Sequence, residues 1–296
     1  NLVAIENRLG VYIAARGNKL QIEGDAESAA RARDVLQGLY NRLAAGQTID
    51  SGAVEAVIAM SAEPTLDGII RHDVSEPPKV MIRTRKKTIV PRSANQGLYM
   101  EALARNELIF ALGPAGTGKT YLAVAQAVSQ LITGSVDRLI LSRPAVEAGE
   151  RLGFLPGDMK EKVDPYLRPL YDALYDTLPA EQVERRIASG EIEIAPLAFM
   201  RGRTLANAFI ILDEAQNTTI AQMKMFLTRF GEGSRMVICG DPKQVDLPQP
   251  GASGLADAVE RLEGIEGIAV SRFTTADVVR HPIVGRIVAA YEGPNA

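Results

Sequence analysis

The stretch ALGPAGTGKTYLA, residues 111–123, decides the fold. A glycine, four residues, then Gly-Lys-Thr is the spacing of a loop that wraps the phosphates of a nucleoside triphosphate. Backbone N–H groups must converge on the phosphate oxygens. A side chain at Gly113, Gly116 or Gly118 would obstruct that approach or the positive φ angles it needs. Pro114, Ala115 and Thr117 complete the loop. Lys119 neutralises the outer phosphates, and Thr120 opens a helix with a hydroxyl suited to Mg²⁺, where the helix N-terminus adds partial positive charge. The motif follows a strand-like run, LIFALG, and precedes a helix over 118–132, which is the context it requires.

From Glu107 onward the alternation continues through RLILS, a helix near 161–177, IEIAP, AFIILD, a helix over 218–230, RMVICGD, IAVSRF and a helix over 277–291. Apolar, β-branched runs alternating with helices predict an α/β core, a parallel sheet covered by helices on both faces. Upstream, residues 2–9 are helix-like. VYIAAR and KLQIEG read as short strands turned at Gly17-Asn18, and an amphipathic helix follows with Asp25 as its cap. With a further helix over 51–61 this is a small α+β unit over 1–62. Glu63 to Ser93 holds four prolines and the stretch KVMIRTRKKTIVPR, with six Lys or Arg and no acid. It reads as a linker or hairpin over 63–93, its charge run 83–87 a solvated turn, ahead of a core over 94–296.

At 296 residues and 46% hydrophobic content the chain can bury one large core and a small accessory domain. Lys plus Arg number 33 against 36 Asp plus Glu, so no overall positive field advertises a nucleic-acid binder and any such surface is local. The single cysteine, Cys239, lies in the apolar run MVICG and reads as buried; a reducing compartment follows more simply than an oxidising one. No apolar run approaches the ~20 residues of a membrane span and no signal peptide is visible, so the expected location is cytoplasmic, with no membrane partner. The chain enters a helix-like run at Asn1, so residues upstream are expected. His72 and His281 show no metal spacing.

NAFIILDEAQN carries an apolar strand that delivers Asp213 to the carboxyl edge of the sheet, where it can hold Mg²⁺ through water. Glu214 beside it is placed to polarise an attacking water. In VICGDPKQVDLP, a third strand ends in polar residues and Gln244 can sense the terminal phosphate or the lytic water. In PRSANQ, the amide of Gln96 can pair donor and acceptor with an adenine edge, which favours ATP.

GPAGTGKT, ILDEAQN and GDPKQVDLP together resemble the first motor domain of superfamily 1 helicases. SRPAVEAGERLGFLPGDMKEKVDPYLRPLYDAL followed by FMRGRTL narrows the resemblance to the PhoH family, over roughly residues 65–292. It implies a RecA-like, cytoplasmic ATPase core linked to RNA metabolism and RNA unwinding. Short bacterial members are associated with an endoribonuclease of ribosomal RNA maturation. The N-terminal unit resembles the latter half of a KH-like RNA-binding module, whose GxxG loop would lie before Asn1.

By the same resemblance the loop after RLILS, with Arg143, Glu147, Glu150 and Arg151, faces nucleic acid. Arg201 and Arg203 offer a second cluster for single-stranded RNA, or else these arginines pair with nearby acids. Tyr166, Tyr171 and Tyr175 fall near helical spacing, which more often means core or interface than base stacking. Superfamily 1 motors carry two cores, whereas about 180 residues run from Gly113 to Ala296, enough for one. A neighbouring copy is therefore expected to supply an arginine finger, Arg280 first and Arg286 second, within a ring of six. The leading expectation is an ATPase acting on or with RNA. A nucleotide-gated adaptor for a ribonuclease is the alternative, and a small-molecule kinase is disfavoured because DEAQ with Gln244 suits water activation.

Overall fold

The computed structural model describes residues 2–17, 19–44, 49, 51–61, 80–144, 159–247 and 253–279, the side chains of 159–165 excepted. The chain divides into two compact units, Asn1–Met81 with Val90–Gly97 and Ile82–Ile89 with Leu98–Ala296.

The first unit follows the order read from the sequence: α1 (Leu2–Leu9), β1 (Tyr12–Arg16), β2 (Lys19–Glu23), α2 (Ala26–Ala44) and α3 (Ser51–Met60). Asp25 caps α2 as expected, its Oδ1 accepting the backbone N–H groups of Glu27 and Ser28 at 3.1 and 2.9 Å. β1 and β2 pair antiparallel, with Ile13 opposite Ile22. The apolar stripes of the three helices, through Ile5, Val35, Val54 and Val57, close one small core over the inward face of that hairpin.

In the second unit, β3 (Ile82–Arg83) and β4 (Thr88–Ile89) form a short hairpin. After α4 (Ala94–Arg105), whose first residues fall with the other unit, come β5 (Leu108–Leu112), α5 (Lys119–Ile132), β6 (Arg138–Arg143), α6 (Met159–Thr177) and α7 (Ala180–Ala188). β7 (Ile192–Pro196), β8 (Ala208–Leu212), α8 (Ile220–Leu227), β9 (Arg235–Gly240), α9 (Gly254–Leu262) and β10 (Ile268–Arg272) complete it. The six long strands are all parallel, in the order β10-β5-β9-β8-β6-β7. This is the expected RecA-like arrangement: β9 stands between the phosphate-loop strand β5 and the carboxylate strand β8.

Every residue of β8, AFIIL, is buried, which is why it reads as an unbroken apolar run rather than an alternating one. Its Phe, Ile and Leu side chains each contribute about 1.5–3 kcal/mol of burial. Two helices, α7 and α9, are additions to the alternation read from sequence. AEQVERRIA in α7 presents one fully buried apolar position, Val183, and α9 opens on Gly254 behind a Pro- and Gly-rich run. The expected helix over 277–291 lies almost wholly outside the described residues; a 3₁₀ turn covers Thr275–Asp277. Among the described residues, no helix is long and apolar enough to cross a membrane.

Register decides where the chemistry sits. Leu112 pairs with Gly240, and Ser142 with Leu212. Gly113 therefore leaves the sheet level with Asp241, and Arg143 level with Asp213, along the carboxyl edge where open α/β sheets bind ligands.

Candidate active site

The phosphate loop closes as its glycines predict. Gly113 has φ +144, and a Cβ there would lie 2.6 Å from the carbonyl oxygen of Phe273. Gly116 and Gly118 both adopt φ +84. Gly118 is the left-handed N-cap of α5, so the N–H groups of the first turn point into the loop. Lys119 Nζ donates to the carbonyls of Gly113 and Pro114 at 2.6 and 2.7 Å. Burial lowers its pKa, against the pull of nearby acids including Asp241, Glu214 and Asp213. Beneath it, the buried Tyr99 hydroxyl donates to the Lys119 carbonyl at 3.1 Å and contacts Cys239 Sγ at 3.9 Å. Cys239 is fully buried, as expected, and burial pushes its thiol up to about 12.

Thr120 Oγ1 donates to Asp213 Oδ1 at 2.5 Å, so hydroxyl and carboxylate meet as the two motifs require. Burial raises the Asp213 pKa, an effect the Thr120 hydrogen bond and Arg143 oppose. Glu214 takes the left-handed conformation, φ +51, which is uncommon for a residue with a side chain and stores strain at the site. Gln216 Nε2 donates to Glu214 Oε2 at 2.5 Å, while Arg143 Nη2 stands 3.6 Å from Glu214 Oε1.

Gln216, absent from the residues picked out by sequence, ties two strands together. Its Oε1 accepts the Asp241 N–H at 3.1 Å, so one amide grips both Glu214 and the turn after β9. Gly240 allows this, since a Cβ there would lie 2.8 Å from Gln216 Oε1. Asn217 repeats the pattern, accepting the Asp246 N–H at 2.8 Å. Gln244, exposed on that turn, lines the same cleft.

The cleft encloses about 570 Å³ between the phosphate loop, Arg143, α6, Asp213, Glu214 and the turn after β9. Lys119, Thr120, Asp213, Glu214 and Gln244 are thus brought together. A larger cavity of about 720 Å³ lies between α8 and α9 at the amino ends of β5, β9 and β10. Apolar side chains such as Met223, Leu227 and Phe230 line it beside charged ones such as Glu107, Lys224 and Asp257. The phosphate loop, Asp213 and Glu214 line only the smaller of these two, so the chemistry belongs there.

The basic run over 83–87 is an exposed hairpin turn, as expected, and two of its lysines also reach α6. Lys86 Nζ donates to the Tyr175 carbonyl at 2.8 Å, and Lys87 Nζ pairs with Asp176 Oδ2 at 2.5 Å at the end of α6. Tyr121 also donates to that carboxylate at 2.8 Å. Burial pushes Asp176 up, but these two hydrogen bonds outweigh it and hold the carboxyl below its usual value.

Arg143 stands among the carboxylates of the cleft. Arg203 is clamped in a bidentate pair with Glu193 at 2.6 and 2.7 Å, the ion-pair alternative weighed for it, whereas Arg201 is exposed. Gln96 is buried, its Oε1 accepting the Arg92 N–H at 2.8 Å. Arg280, Arg286, Glu147, Glu150, Arg151, His72 and His281 lie outside the described residues.

The model of a family described as PhoH-like protein matches residues 88–292. A PhoH-like protein of Bacillus subtilis (strain 168) is 51% identical over 294 residues, 99% of this chain and 91% of its own length. Protein PhoH of Escherichia coli (strain K12) is 49% identical over 205 residues, 69% of this chain and 58% of its own. A solved SWI2/SNF2 ATPase core of Sulfolobus solfataricus in complex with dsDNA aligns over 59% of this chain and 41% of that one, at 13% identity and a TM-score of 0.33, too distant to argue from.

Proposed function

This chain belongs to the family of PhoH-like proteins, and from that premise we propose that it hydrolyses ATP in the carboxyl-edge cleft and couples the hydrolysis to single-stranded RNA. The observation that carries the reading is the meeting of Thr120 and Asp213 beside Lys119 and Glu214. These oxygen donors suit a hard divalent ion, and Mg²⁺ held there with the nucleotide would offset phosphate charge. Lys119 exchanges its loop carbonyls for phosphate oxygens, with the glycine loop's N–H groups around them. Glu214 orients a water and takes its proton, its own carboxylate fixed by Gln216. Gln244, on the turn that Gln216 grips through Asp241, senses the terminal phosphate.

Coupling to RNA rests on the resemblance of the motifs. A ring of six copies, Arg280 of one reaching the site of the next, and an endoribonuclease partner in the cytoplasm are parts of the same proposal, as is adenine recognition by Gln96. The test is ATP turnover with and without single-stranded RNA, repeated at two salt concentrations. RNA should raise turnover, and the stimulation should fall steeply with salt because phosphate contacts release counterions. Turnover indifferent to RNA would favour the nucleotide-gated adaptor instead.

A further inference from the structure

Arg143, last residue of β6, is held loosely among the described residues. Its side chain is 23% exposed. Among the described residues its guanidinium makes one hydrogen bond, from Nη1 to the Tyr166 carbonyl on α6 at 3.1 Å. Its approaches to the cleft acids are loose: 3.9 Å to Asp213 Oδ2 and 3.6 Å to Glu214 Oε1. Arg203 and Arg272, by contrast, each fork onto a carboxylate at 2.6–2.8 Å. A guanidinium carries five donors in a rigid plane, so one that lines the cleft can serve a ligand there as well as the Tyr166 carbonyl. The Tyr166 carbonyl fixes one edge of Arg143. The rest lies against the cleft that Lys119 approaches from the loop side.

We propose that Arg143 is a catalytic residue, a cation from the same chain that pairs with the terminal phosphate of ATP as charge develops on it. The proposal rests on the ATPase reading above. In that reaction the water oxygen bonds to the terminal phosphorus and the bond from that phosphorus to the bridging oxygen breaks. ADP leaves with the electron pair, and Glu214 takes the water's proton. Charge spreads over the equatorial oxygens of the phosphoryl group in flight, which Lys119 meets from one side and Arg143 from the other. The contacts given up are long, 3.9 Å to the buried Asp213 and 3.6 Å to the part-exposed Glu214, so no close ion pair is broken. A donor loosely held in the ground state and tightly paired in the transition state lowers the barrier rather than the binding constant.

The test uses the full chain with Arg143→Ala, Arg143→Lys and, as a control on the nucleotide site, Lys119→Ala. Four quantities are read: ADP affinity with a fluorescent analogue, single-turnover ATP hydrolysis, single-stranded RNA affinity, and retention of ADP with aluminium fluoride, which mimics the phosphoryl group in flight. Arg143→Ala should bind ADP like the unaltered protein, hydrolyse ATP roughly 10²–10³-fold more slowly and fail to retain the aluminium fluoride complex. Arg143→Lys should regain part of the rate, because it restores charge without the fork. Wild-type trapping and turnover in Arg143→Ala overturn the proposal. So does loss of ADP affinity in step with hydrolysis, which marks a structural role, and so does weakened RNA binding with trapping intact. If the unaltered protein binds neither nucleotide and Lys119→Ala changes nothing, the ATPase reading falls and takes this proposal with it, an outcome distinct from the other three.

Discussion

On the loop side of the cleft, positions are set by main chain: three glycines with positive φ, the left-handed cap of α5, and a lysine resting on carbonyls. On the carboxylate side they are set by side chains holding one another. Arg143 leans on Glu214, Gln216 grips both Glu214 and Asp241, and Asn217 holds Asp246. A wall of backbone needs only that no side chain intrude, so it is rigid once closed. A wall of side chains transmits every substitution to its neighbours. On the proposed ATPase reading, binding of phosphate belongs to the first wall and timing of hydrolysis to the second.

Four substitutions break or sharpen that division. Glu214→Gln should show the largest effect, slowing hydrolysis by about 10²–10⁴-fold while ATP affinity stays within a few-fold. Equal losses in both would erase the distinction between the walls. Lys119→Ala attacks the other wall and should weaken ATP binding by roughly 10²-fold, about 3 kcal/mol of charge-assisted contact. Its melting temperature should hold, since no buried apolar contact is removed; undiminished affinity in titration calorimetry would dissolve the loop assignment.

Gln216→Ala tests whether the second wall acts as a unit. It frees Glu214 and leaves the buried Asp241 N–H without its acceptor, at a cost of about 1–3 kcal/mol in stability. Steady-state kinetics should show kcat down roughly tenfold with little change in KM. An unchanged kcat would mean that the amide serves the fold alone.

The smallest effect lies away from the cleft, at Glu193 and Arg203. Hydrogen bonds from Arg203 hold the Glu193 carboxyl below its ordinary 4.5, with burial partly opposing. The unfolded chain binds that proton at higher pH, so the stabilisation is full above 4.5 and is lost as pH falls through the lower folded value. Both side chains are about a third exposed, which limits the pair to about 1 kcal/mol or less. Glu193→Gln should lower the melting temperature at pH 7 by about 2–4 °C at most and by less near pH 3. A shift of equal size at both pH values would exclude the ion pair as its cause.

The two walls were not equally legible. The loop is contiguous in sequence and its constraints are local, so glycine spacing alone locates Lys119 and Thr120. Asp213 and Glu214 follow from an apolar run ending in acids. Arg143 was harder, because a residue ending a strand can turn toward the cleft or toward another face, and only α6 and β8 decide which. Gln216 stands two residues from Glu214, yet its partner Asp241 is 25 positions away, and Gly240, which makes room for it, reads as an ordinary turn glycine. The lysines at 86 and 87 find their partners on α6 only through a separation of 89 residues. In the small unit, by contrast, the cap at Asp25 and the hairpin are local and were read directly.

The lone thiol under the loop has a consequence outside chemistry at the cleft. Cys239 sits in the fourth of five positions that β9 shares with β5, wholly buried and protonated at neutral pH. A reagent that attacks thiolates meets nothing to attack until β9 parts from its neighbours. Because the chain has no second cysteine, one covalent label per molecule counts one opening of the sheet's centre. The protein thus carries its own stopwatch for unfolding, and nucleotide, by holding the sheet closed, should slow it.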